Sequence, residues 1–384
     1  MNRASPEPLT AEEKGTDNRP DIELLLQLAA RGLVPMFDEQ KQLFCYRLIR
    51  GNQGLVREGL SPRYTIMTLL GLRELERSRA NCPFDTESLY KSFASDTNWI
   101  QCAGDLGLFI WLASEFAPDR IDEVDKRFDL KKALEFYSDA RDGRTMELAW
   151  LLTGLVSAAS SSTKFAAAFS DVALRTYRLL RENQRRHGLF GHMNTRKSLV
   201  GRIRGRIGSF ADQIYPIYAL SKFSDAFHSG EALESALQCA KAICSRQGQM
   251  GQWWWLYDSD TGAVASHYPV YSVHQHGMAP MGLFAVEEAS GQSFQEPIYK
   301  GLRWVYGMNE LGLDMRDCEQ NLIWRSMLPK SSYVKYWDVT SSIFGGSKPD
   351  TRNRPLQILH EDRPYELGWL LFAFARTSTF AART

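Results

Sequence analysis

Hydrophobic residues recur along the chain with the helical period, in two kinds of segment that alternate. Segments of the first kind are apolar on nearly every side, and they are residues 60–75, 98–113, 146–158, 212–220, 268–289 and 365–375. Segments of the second kind are apolar on one face only, and they are residues 84–95, 129–140, 165–183, 231–245 and 294–308. A helix that is apolar all round is covered on every side, whereas a one-faced helix meets water. The alternation therefore predicts an inner ring of six helices wrapped by outer helices.

The two ends of this pattern predict how the ring closes. Residues 21–31 form a one-faced segment before the first apolar helix, and the sixth apolar helix has no one-faced segment after it. We expect these two end helices to pack together. The sequence then predicts a single all-α domain at residues 21–375, between a disordered polar tail at residues 1–20 and a C-terminal tail at residues 376–384.

Three connections are far longer than the others, and each leads into an inner helix; they are residues 184–211, 247–267 and 309–361. Long structured loops are usually functional, and these three arrive at one face of the ring, at the N-terminal ends of inner helices. Those ends carry unpaired N–H groups and partial positive charge, which favour an anionic ligand. Strand patterns are few, and residues 333–339 show the best one.

Helix starts and an internal similarity support this organisation. Ser61 and Pro62 are the residue types preferred at the N-cap and the first position of a helix, and Pro269 predicts a helix that starts at Tyr268. The motif Tyr-Pro-x-Tyr occurs twice, beginning at Tyr215 and at Tyr268, and each copy follows a glycine-rich aromatic loop. Such self-similarity is typical of repeat architectures.

Six inner helices whose N-terminal mouth is covered by aromatic loops resemble the (α/α)6 toroid of the six-hairpin glycosidases and of related polysaccharide lyases and uronate epimerases. The resemblance extends over residues 21–375 as architecture, and no family motif accompanies it. It implies a carbohydrate-active enzyme that acts on an anionic glycan or glycosyl intermediate, by uronate lyase or epimerase chemistry or by glycoside hydrolysis, as in polysaccharide biosynthesis. Terpene cyclases share the toroid, but Asp258-Ser-Asp-Thr falls short of their acidic motif.

Aromatic residues at the helix entries are candidates for substrate binding. A glycine-rich loop carries three consecutive tryptophans, Trp253, Trp254 and Trp255, and indole rings stack well on the C–H faces of sugars. The alternative is that one or two of these rings plug the mouth of the ring of helices. Tyr215 and Tyr268 stand at the entries that follow the aromatic loops, so they join the substrate-binding set.

Two pairs of residues are candidates for catalysis. Tyr271 and His274 are three apart and face the same way on a helix, so they can remove and return a proton beside a uronate carboxylate; a hydrogen-bonded core histidine is the alternative. Hydrolysis needs two carboxylates, and Asp212 and Glu366 are chosen because both lie on inner helices, where helix capping is the ordinary role. His276 is two residues from His274 and points elsewhere, which makes it a binding candidate and disfavours a shared metal.

Basic residues are concentrated in the connection at residues 184–211, which contains no acidic residue. Arg202, Arg204 and Arg206 are predicted to contact the substrate, because guanidinium groups bind carboxylates and phosphates through paired hydrogen bonds. Simple solvation of this basic run and contact with an anionic lipid head group are the alternatives.

Composition narrows the remaining possibilities. The formal net charge of +1 gives no general attraction to nucleic acid. No apolar run is long enough to span a membrane, which leaves peripheral membrane contact open. The first twenty residues lack the apolar segment of a secretory signal, so a cytoplasmic location is expected. The six cysteines have neither zinc nor disulfide spacing, and we expect no metal or cofactor.

Two further functions stay open on the sequence alone. An isoprenoid cyclase of this fold predicts an apolar, aromatic-lined cavity with one acid. A non-catalytic toroid that binds a glycan or a protein predicts that the carboxylates at the mouth, and His274, can be lost without effect.

Overall fold

The computed structural model describes residues 20–121, 132, 143–161, 163–194, 204–330 and 355–381. Eleven α-helices lie in these ranges, and they are α1 (Ile22–Leu33), α2 (Pro62–Arg77), α3 (Thr86–Ala94), α4 (Ala103–Phe116), α5 (Thr145–Ser161), α6 (Thr163–Arg181), α7 (Ala211–Phe227), α8 (Gly230–Cys244), α9 (Ala279–Ser290), α10 (Gln295–Val305) and α11 (Pro364–Ala381).

Six of these helices form a closed inner ring. Helix α2 packs against α4, α4 against α5, α5 against α7, α7 against α9, α9 against α11, and α11 packs back against α2. Outer helices α3, α6, α8 and α10 each contact the inner helix that precedes them, and α1 packs on α11. The predicted all-α (α/α)6 toroid, including its closure by the first helix, is therefore confirmed. Of the outer helix predicted at residues 129–140, the structure describes Lys132 alone, which is helical. Helix α11 continues past residue 375 to Ala381.

Helix starts follow the local rules that apply to their sequences. The Asp21 carboxylate accepts a hydrogen bond from the Leu24 N–H at 3.0 Å, and the Ser61 hydroxyl accepts one from the Tyr64 N–H at 3.2 Å. Pro62 is the first residue of α2, as predicted. These caps satisfy N–H groups that a helix leaves unpaired at its start.

Glycines allow neighbouring inner helices to touch through their backbones. Gly107 of α4 faces Gly154 of α5, and a Cβ on Gly107 would lie only 2.3 Å from the Cα of Leu151. Gly71 of α2 meets Gly368 of α11 in the same way, since a Cβ on Gly71 would lie 2.1 Å from the Gly368 carbonyl oxygen. Both contacts need a residue without a side chain.

Short antiparallel sheets tie the long connections together over the N-terminal ends of the inner helices. Two sheets of three strands each are formed, and their strands are Ile207–Ser209, Leu256–Asp258 and Val264–Ser266, and Val270–Tyr271, Ser326–Pro329 and Leu356–Leu359. Because each sheet joins strands from different connections, the loops brace one another. The strand predicted at residues 333–339 lies outside the described residues.

One hairpin, Leu43–Gly51 with Gly54–Leu60, was not predicted from the sequence. Phe44 and Cys45 are both buried although they are neighbours, so the strand lacks the strict alternation by which a half-buried strand is recognised. The short strand Glu361–Asp362 pairs with the first strand of this hairpin and so brings the entry of α11 next to the entry of α2.

The predicted start of the fifth inner helix is wrong. Tyr268 and Pro269 precede a strand, Val270–Tyr271, which pairs with Ser326–Pro329. Strand pairing has therefore overridden the preference of proline for a first helical position. Tyr215 lies inside α7, so the two Tyr-Pro-x-Tyr motifs occupy different elements and are not structurally equivalent.

The fifth inner helix instead begins with a π-helical turn at His274–Met278, which runs into α9. The N–H of Ala279 bonds to the carbonyl of His274, five residues earlier. Pro280 is the next residue. It has no N–H to donate, and its ring would clash with the carbonyl of His276, four residues earlier, so a regular α-helical turn cannot form there. Wide turns of this kind are frequent at functional sites.

Candidate functional site

Aromatic and charged side chains from the N-terminal parts of the inner helices, and from the connections beside them, meet at one end of the ring. Tyr64 of α2 lies 4.5 Å from Tyr365 of α11, measured between ring centroids. Trp150 of α5 and Tyr215 of α7 are 5.2 Å apart, and the Tyr215 hydroxyl accepts a hydrogen bond from Trp369 Nε1 at 3.0 Å. We call this group the mouth cluster, and it consists of Tyr64, Trp150, Tyr215, Tyr271, Arg325, Tyr365 and Glu366.

Glu366, in the first turn of α11, is a fully buried acid of the mouth cluster. Its Oε1 is in direct contact with a terminal nitrogen of Arg325, and its Oε2 has no hydrogen-bond partner among the described residues. Burial raises the pKa of Glu366 to about 7, while the charges of Arg325 and Arg363 oppose that rise. A carboxyl group with this pKa can both give and take a proton near neutral pH.

Three guanidinium groups converge on Glu361, which is itself buried. Its carboxylate oxygens lie 3.1 Å from Arg47, 3.5 Å from Arg325 and 2.6 Å from Arg363. Although burial alone would raise it, the pKa of Glu361 is held below its ordinary value by the hydrogen bond and charge of Arg363. Arg363 also donates to the Tyr64 hydroxyl at 2.8 Å, which connects this charged group to the mouth cluster.

Asp105 is a buried acid at the mouth that was not predicted from the sequence. Its carboxylate accepts a hydrogen bond from Arg63 Nε at 2.8 Å, and the Arg63 guanidinium lies 5.5 Å from the Trp150 ring. A predicted helix start at residue 98 placed Asp105 in the helix interior, whereas α4 begins at Ala103 and has Asp105 in its first turn. An acid within an otherwise apolar segment was the signal that could have identified it.

Asp212 lies in the first turn of α7, where it forms a capping box with Ser209. The Asp212 Oδ2 accepts hydrogen bonds from the Ser209 N–H and from the Ser209 hydroxyl, each at 2.8 Å. In return, the Ser209 hydroxyl oxygen accepts a hydrogen bond from the Asp212 N–H at 3.2 Å. The same Oδ2 also lies 3.1 Å from Nδ1 of His192, which was not predicted as a site residue. A polar residue in the glycine-rich loop before an inner helix was the available signal.

The structure brings Tyr271 and His274 together, with 5.1 Å between their ring centroids. The Arg325 guanidinium lies 5.0 Å from the Tyr271 ring, and burial raises the pKa of Tyr271. Burial lowers the pKa of His274 to about 3, so its imidazole is neutral. His276 is fully buried, its pKa is likewise about 3 because of burial, and neither ring nitrogen has a partner among the described residues.

The three consecutive tryptophans occupy different environments. Trp253 is fully buried and packs on Phe210, with 5.6 Å between ring centroids, so its faces are covered in this arrangement. Trp254 is half-buried and donates to a backbone carbonyl at 2.8 Å, and Trp255 packs beside a small hydrophobic cluster. Tyr268 donates its hydroxyl to a glutamate carboxylate at 3.0 Å. Trp254 and Trp255 are thus the two partly exposed members of the tryptophan loop.

The basic connection is partly neutralised by acids of the tryptophan loop. Arg206 lies 3.3 Å from Asp258, and Arg185 lies 3.7 Å from Asp260. Arg204 is exposed. Arg202 lies outside the described residues. A run without acidic residues in the sequence therefore acquires acidic neighbours in the fold.

The described residues offer little for binding a metal ion. Within the described ranges, no three side chains of His, Cys, Asp or Glu are grouped so that they could hold one. All six cysteines are free thiols. None of the helices that the structure describes is both long and apolar enough to cross a membrane.

Solved structures with the same fold include carbohydrate-active proteins. A possible member of the GH105 family from Klebsiella pneumoniae superposes with a TM-score of 0.58 at 12% sequence identity, covering 99% of this chain and 96% of its own. The unsaturated glucuronyl hydrolase of Bacillus sp. GL1 gives 0.56 at 16% identity, with 93% and 95% covered. The unsaturated glucuronyl hydrolase of Streptococcus agalactiae gives 0.59 at 11% identity, with 93% and 91% covered. No protein-family model matches the sequence, and no curated protein matches it.

At these sequence identities the likeness establishes the fold, and the chemistry has to be argued from the side chains. The fold has its loops and helix N-termini at the end where the mouth cluster lies. Acids and arginines from α2, α4 and α11 come together there with tyrosines, which makes this end the candidate active site.

Proposed function

We propose that the protein is a carbohydrate-active enzyme that acts on an anionic glycan or glycosyl intermediate at the mouth cluster, with Glu366 as a proton donor. The state of Glu366 supports this most strongly, because it is a fully buried carboxyl group with one unpartnered oxygen and a pKa of about 7. Glycoside hydrolysis needs such an acid to protonate the leaving oxygen. Hydrolases of unsaturated glucuronyl groups are among the proteins with a similar fold.

The charges around the mouth favour an anionic sugar. Arg325 and Arg363 share the carboxylate of Glu361, and protonation of Glu366 would leave Arg325 without its second ionised partner. Arg47 has a second acidic partner, because its guanidinium lies 2.6 Å from the carboxylate of Glu58 in the hairpin. Net positive charge then remains in a partly buried setting, where it attracts a carboxylate more strongly than at an open surface. The same charges count against an isoprenoid cyclase, which requires an apolar cavity.

Uronate lyase or epimerase chemistry is the second candidate, and the contact between Tyr271 and His274 favours it. Both reactions begin with removal of the proton next to the uronate carboxylate. The neutral His274 ring has an Nδ1 without a partner among the described residues, and Tyr271 lies beside the guanidinium of Arg325. This arrangement places a neutral imidazole, a hydroxyl group and a positive charge on one side of the mouth.

One experiment separates these reactions. Purified protein is incubated in D2O with oligosaccharides that contain uronates and with neutral oligosaccharides of equal length. New reducing ends without deuterium at C5 indicate hydrolysis, ultraviolet absorbance from a new C4–C5 double bond indicates elimination, and deuterium at C5 in intact chains indicates epimerisation. Binding of a glycan without any of the three products would overturn the enzymatic proposal and favour a non-catalytic toroid.

The role of Glu366 is tested with a matched pair of variants. Glu366→Gln removes the proton donor and keeps the shape of the side chain, and we expect kcat to fall by about 10²- to 10⁴-fold. Glu234→Gln makes the same change on the exposed face of α8, where the carboxylate accepts a hydrogen bond from Gln238, and kcat should stay as it is. Full activity of Glu366→Gln would refute the assignment.

A further inference from the structure

We infer that His192 is a second proton-transfer residue of the site and that Asp212 positions it. This inference rests on the proposed function, and it supplies the group that activates water when Glu366 acts as the acid. The two residues come from different segments, because His192 lies in the loop before the basic run and Asp212 in the first turn of α7.

The contact between the two side chains determines which ring nitrogen is reactive. His192 Nδ1 lies 3.1 Å from Asp212 Oδ2. An ionised carboxylate can only accept a hydrogen bond, so Nδ1 carries the hydrogen and the neutral ring keeps its lone pair on Nε2. The Asp212 side chain is 1% exposed and the His192 side chain 27% exposed. A buried acid therefore holds a histidine that is partly exposed to solvent.

Helix capping alone does not account for this arrangement. The capping box of α7 is complete with Ser209, whose N–H and hydroxyl both bond to Asp212. His192 adds a third donor to the same oxygen and is not needed for the cap. Hydrogen bonding to a carboxylate is the usual way in which proteins fix the tautomer and orientation of a functional histidine.

The backbone around His192 is fixed to two inner helices. The Thr145 N–H, at the start of α5, donates to the His192 carbonyl at 3.0 Å. Two residues earlier, the Phe190 N–H donates to the side-chain oxygen of Gln213 in α7 at 2.8 Å, and the Gln213 side-chain nitrogen donates to the Phe190 carbonyl at 2.9 Å. His192 therefore lies between the N-terminal ends of α5 and α7, which both contribute aromatic rings to the mouth cluster. Such support is what a preorganised catalytic group requires.

The proton transfers balance with these two groups. His192 Nε2 takes a proton from water while the water oxygen bonds to the anomeric carbon. The bond from that carbon to the leaving oxygen breaks, and the leaving oxygen takes the proton of Glu366. Asp212 stabilises the resulting imidazolium, and His192 then returns its proton through solvent to the Glu366 carboxylate, which restores both groups.

Nitrogen NMR of the wild-type protein tests the positioning role without any substrate. His192→Gln identifies the resonances of His192 by their disappearance. We expect the neutral ring to carry its hydrogen on Nδ1 in the wild type, and to lose that preference in Asp212→Asn. A neutral ring with its hydrogen on Nε2 in the wild type, or an Nδ1 preference that persists in Asp212→Asn, would overturn the inference even if the enzyme is active.

Kinetics test the catalytic role on the substrate that the proposed function identifies. His192→Gln should lower kcat by about 10²- to 10⁴-fold, with little change in KM and with loss of one limb of the pH profile. His187→Gln, which changes a partly exposed histidine of the same loop, serves as the control and should keep the wild-type kcat and pH profile. Loss of activity in Glu366→Gln together with full activity in His192→Gln would overturn this inference and leave the proposed function standing. Inactivity of the wild type on every glycan would remove the proposed function, and with it the water-activating role of His192.

Discussion

Replacement of Gly107 by alanine should push apart two inner helices that carry the candidate site. The new Cβ would lie 2.3 Å from the Cα of Leu151 and 2.5 Å from the carbonyl carbon of Trp150, whereas ordinary contacts begin at 3.4 Å. Helices α4 and α5 must therefore separate by roughly 1 Å, because the obstructing atoms are backbone and cannot rotate away. The displacement also moves Trp150, a member of the mouth cluster.

Two opposing terms determine the size of the effect. Forcing an extra methyl group into a packed interior costs about 1–3 kcal/mol, while alanine is favoured over glycine in a helix by about 1 kcal/mol. Since backbone meets backbone here, the cost of overpacking should be at least about 3 kcal/mol, the top of its range. The preference for alanine offsets about 1 kcal/mol of that cost, so we expect the free energy of unfolding to fall by about 2 kcal/mol. Gly230→Ala is the control, because a Cβ on Gly230 has nothing within 4 Å. It should stabilise the protein by about 0.4–1 kcal/mol.

The measurement is equilibrium denaturation of both variants and the wild type, followed by far-ultraviolet circular dichroism with the denaturant slope compared as well. A Gly107→Ala protein as stable as the wild type would refute the close backbone contact between α4 and α5. Gly154→Ala should be destabilising too, since its Cβ would lie 2.1 Å from the Gly107 carbonyl oxygen. The double variant should cost less than the sum of the two, because one separation of the helices relieves both clashes.

Three further predictions concern single side chains. The pKa of Glu366 is raised from 4.5 to about 7, so its contribution to the free energy of unfolding is complete below pH 4.5 and is lost as the pH rises through 7, by about 3 kcal/mol in total. Denaturation at several pH values should show this loss in the wild type and not in Glu366→Gln. Equal slopes of the free energy of unfolding against pH in the two proteins would contradict the burial argument. Arg363→Ala should raise KM for a uronate oligosaccharide by about 10- to 100-fold, since a hydrogen bond to a charged group contributes about 1.5–3 kcal/mol, and leave KM for a neutral one unchanged. Trp253→Ala should lower the free energy of unfolding by about 3–5 kcal/mol, because the ring is fully buried, and a small effect in the same denaturation assay would place the ring outside the core.

Local sequence patterns were sufficient for most of the helical ring. The period of apolar residues, together with caps such as Asp21 and Ser61, depends on contacts within a few residues, and these contacts survive in the fold. Errors arose where pairing between distant segments competed with a local preference. Pro269 is a good first residue for a helix, but the adjacent strand Val270–Tyr271 pairs with Ser326–Pro329, and that pairing prevails.

Site residues predicted from placement on an inner helix and those predicted from charge along the chain have different surroundings in the fold. Glu366 and Asp212 are predicted because both lie on inner helices, and the structure buries both of them in the first turns of those helices. The basic run was selected for its lack of acids, yet Arg206 meets Asp258 from another loop. The net charge of a sequence segment does not determine the net charge around it in the folded protein, because its side chains form ion pairs with residues from distant segments.

The positive charge proposed to bind the substrate illustrates why the site could not be derived in full from the sequence. It arises at Glu361, where Arg47 from a hairpin near the start of the chain meets Arg325 and Arg363 from its last part. None of these arginines belongs to a basic run, and each would look like an ordinary surface residue in its own segment. Their effect depends on pairing of Glu361–Asp362 with the hairpin, which sets three cations around one buried acid. Removing that pairing should therefore weaken binding of an anionic sugar even with every mouth residue intact.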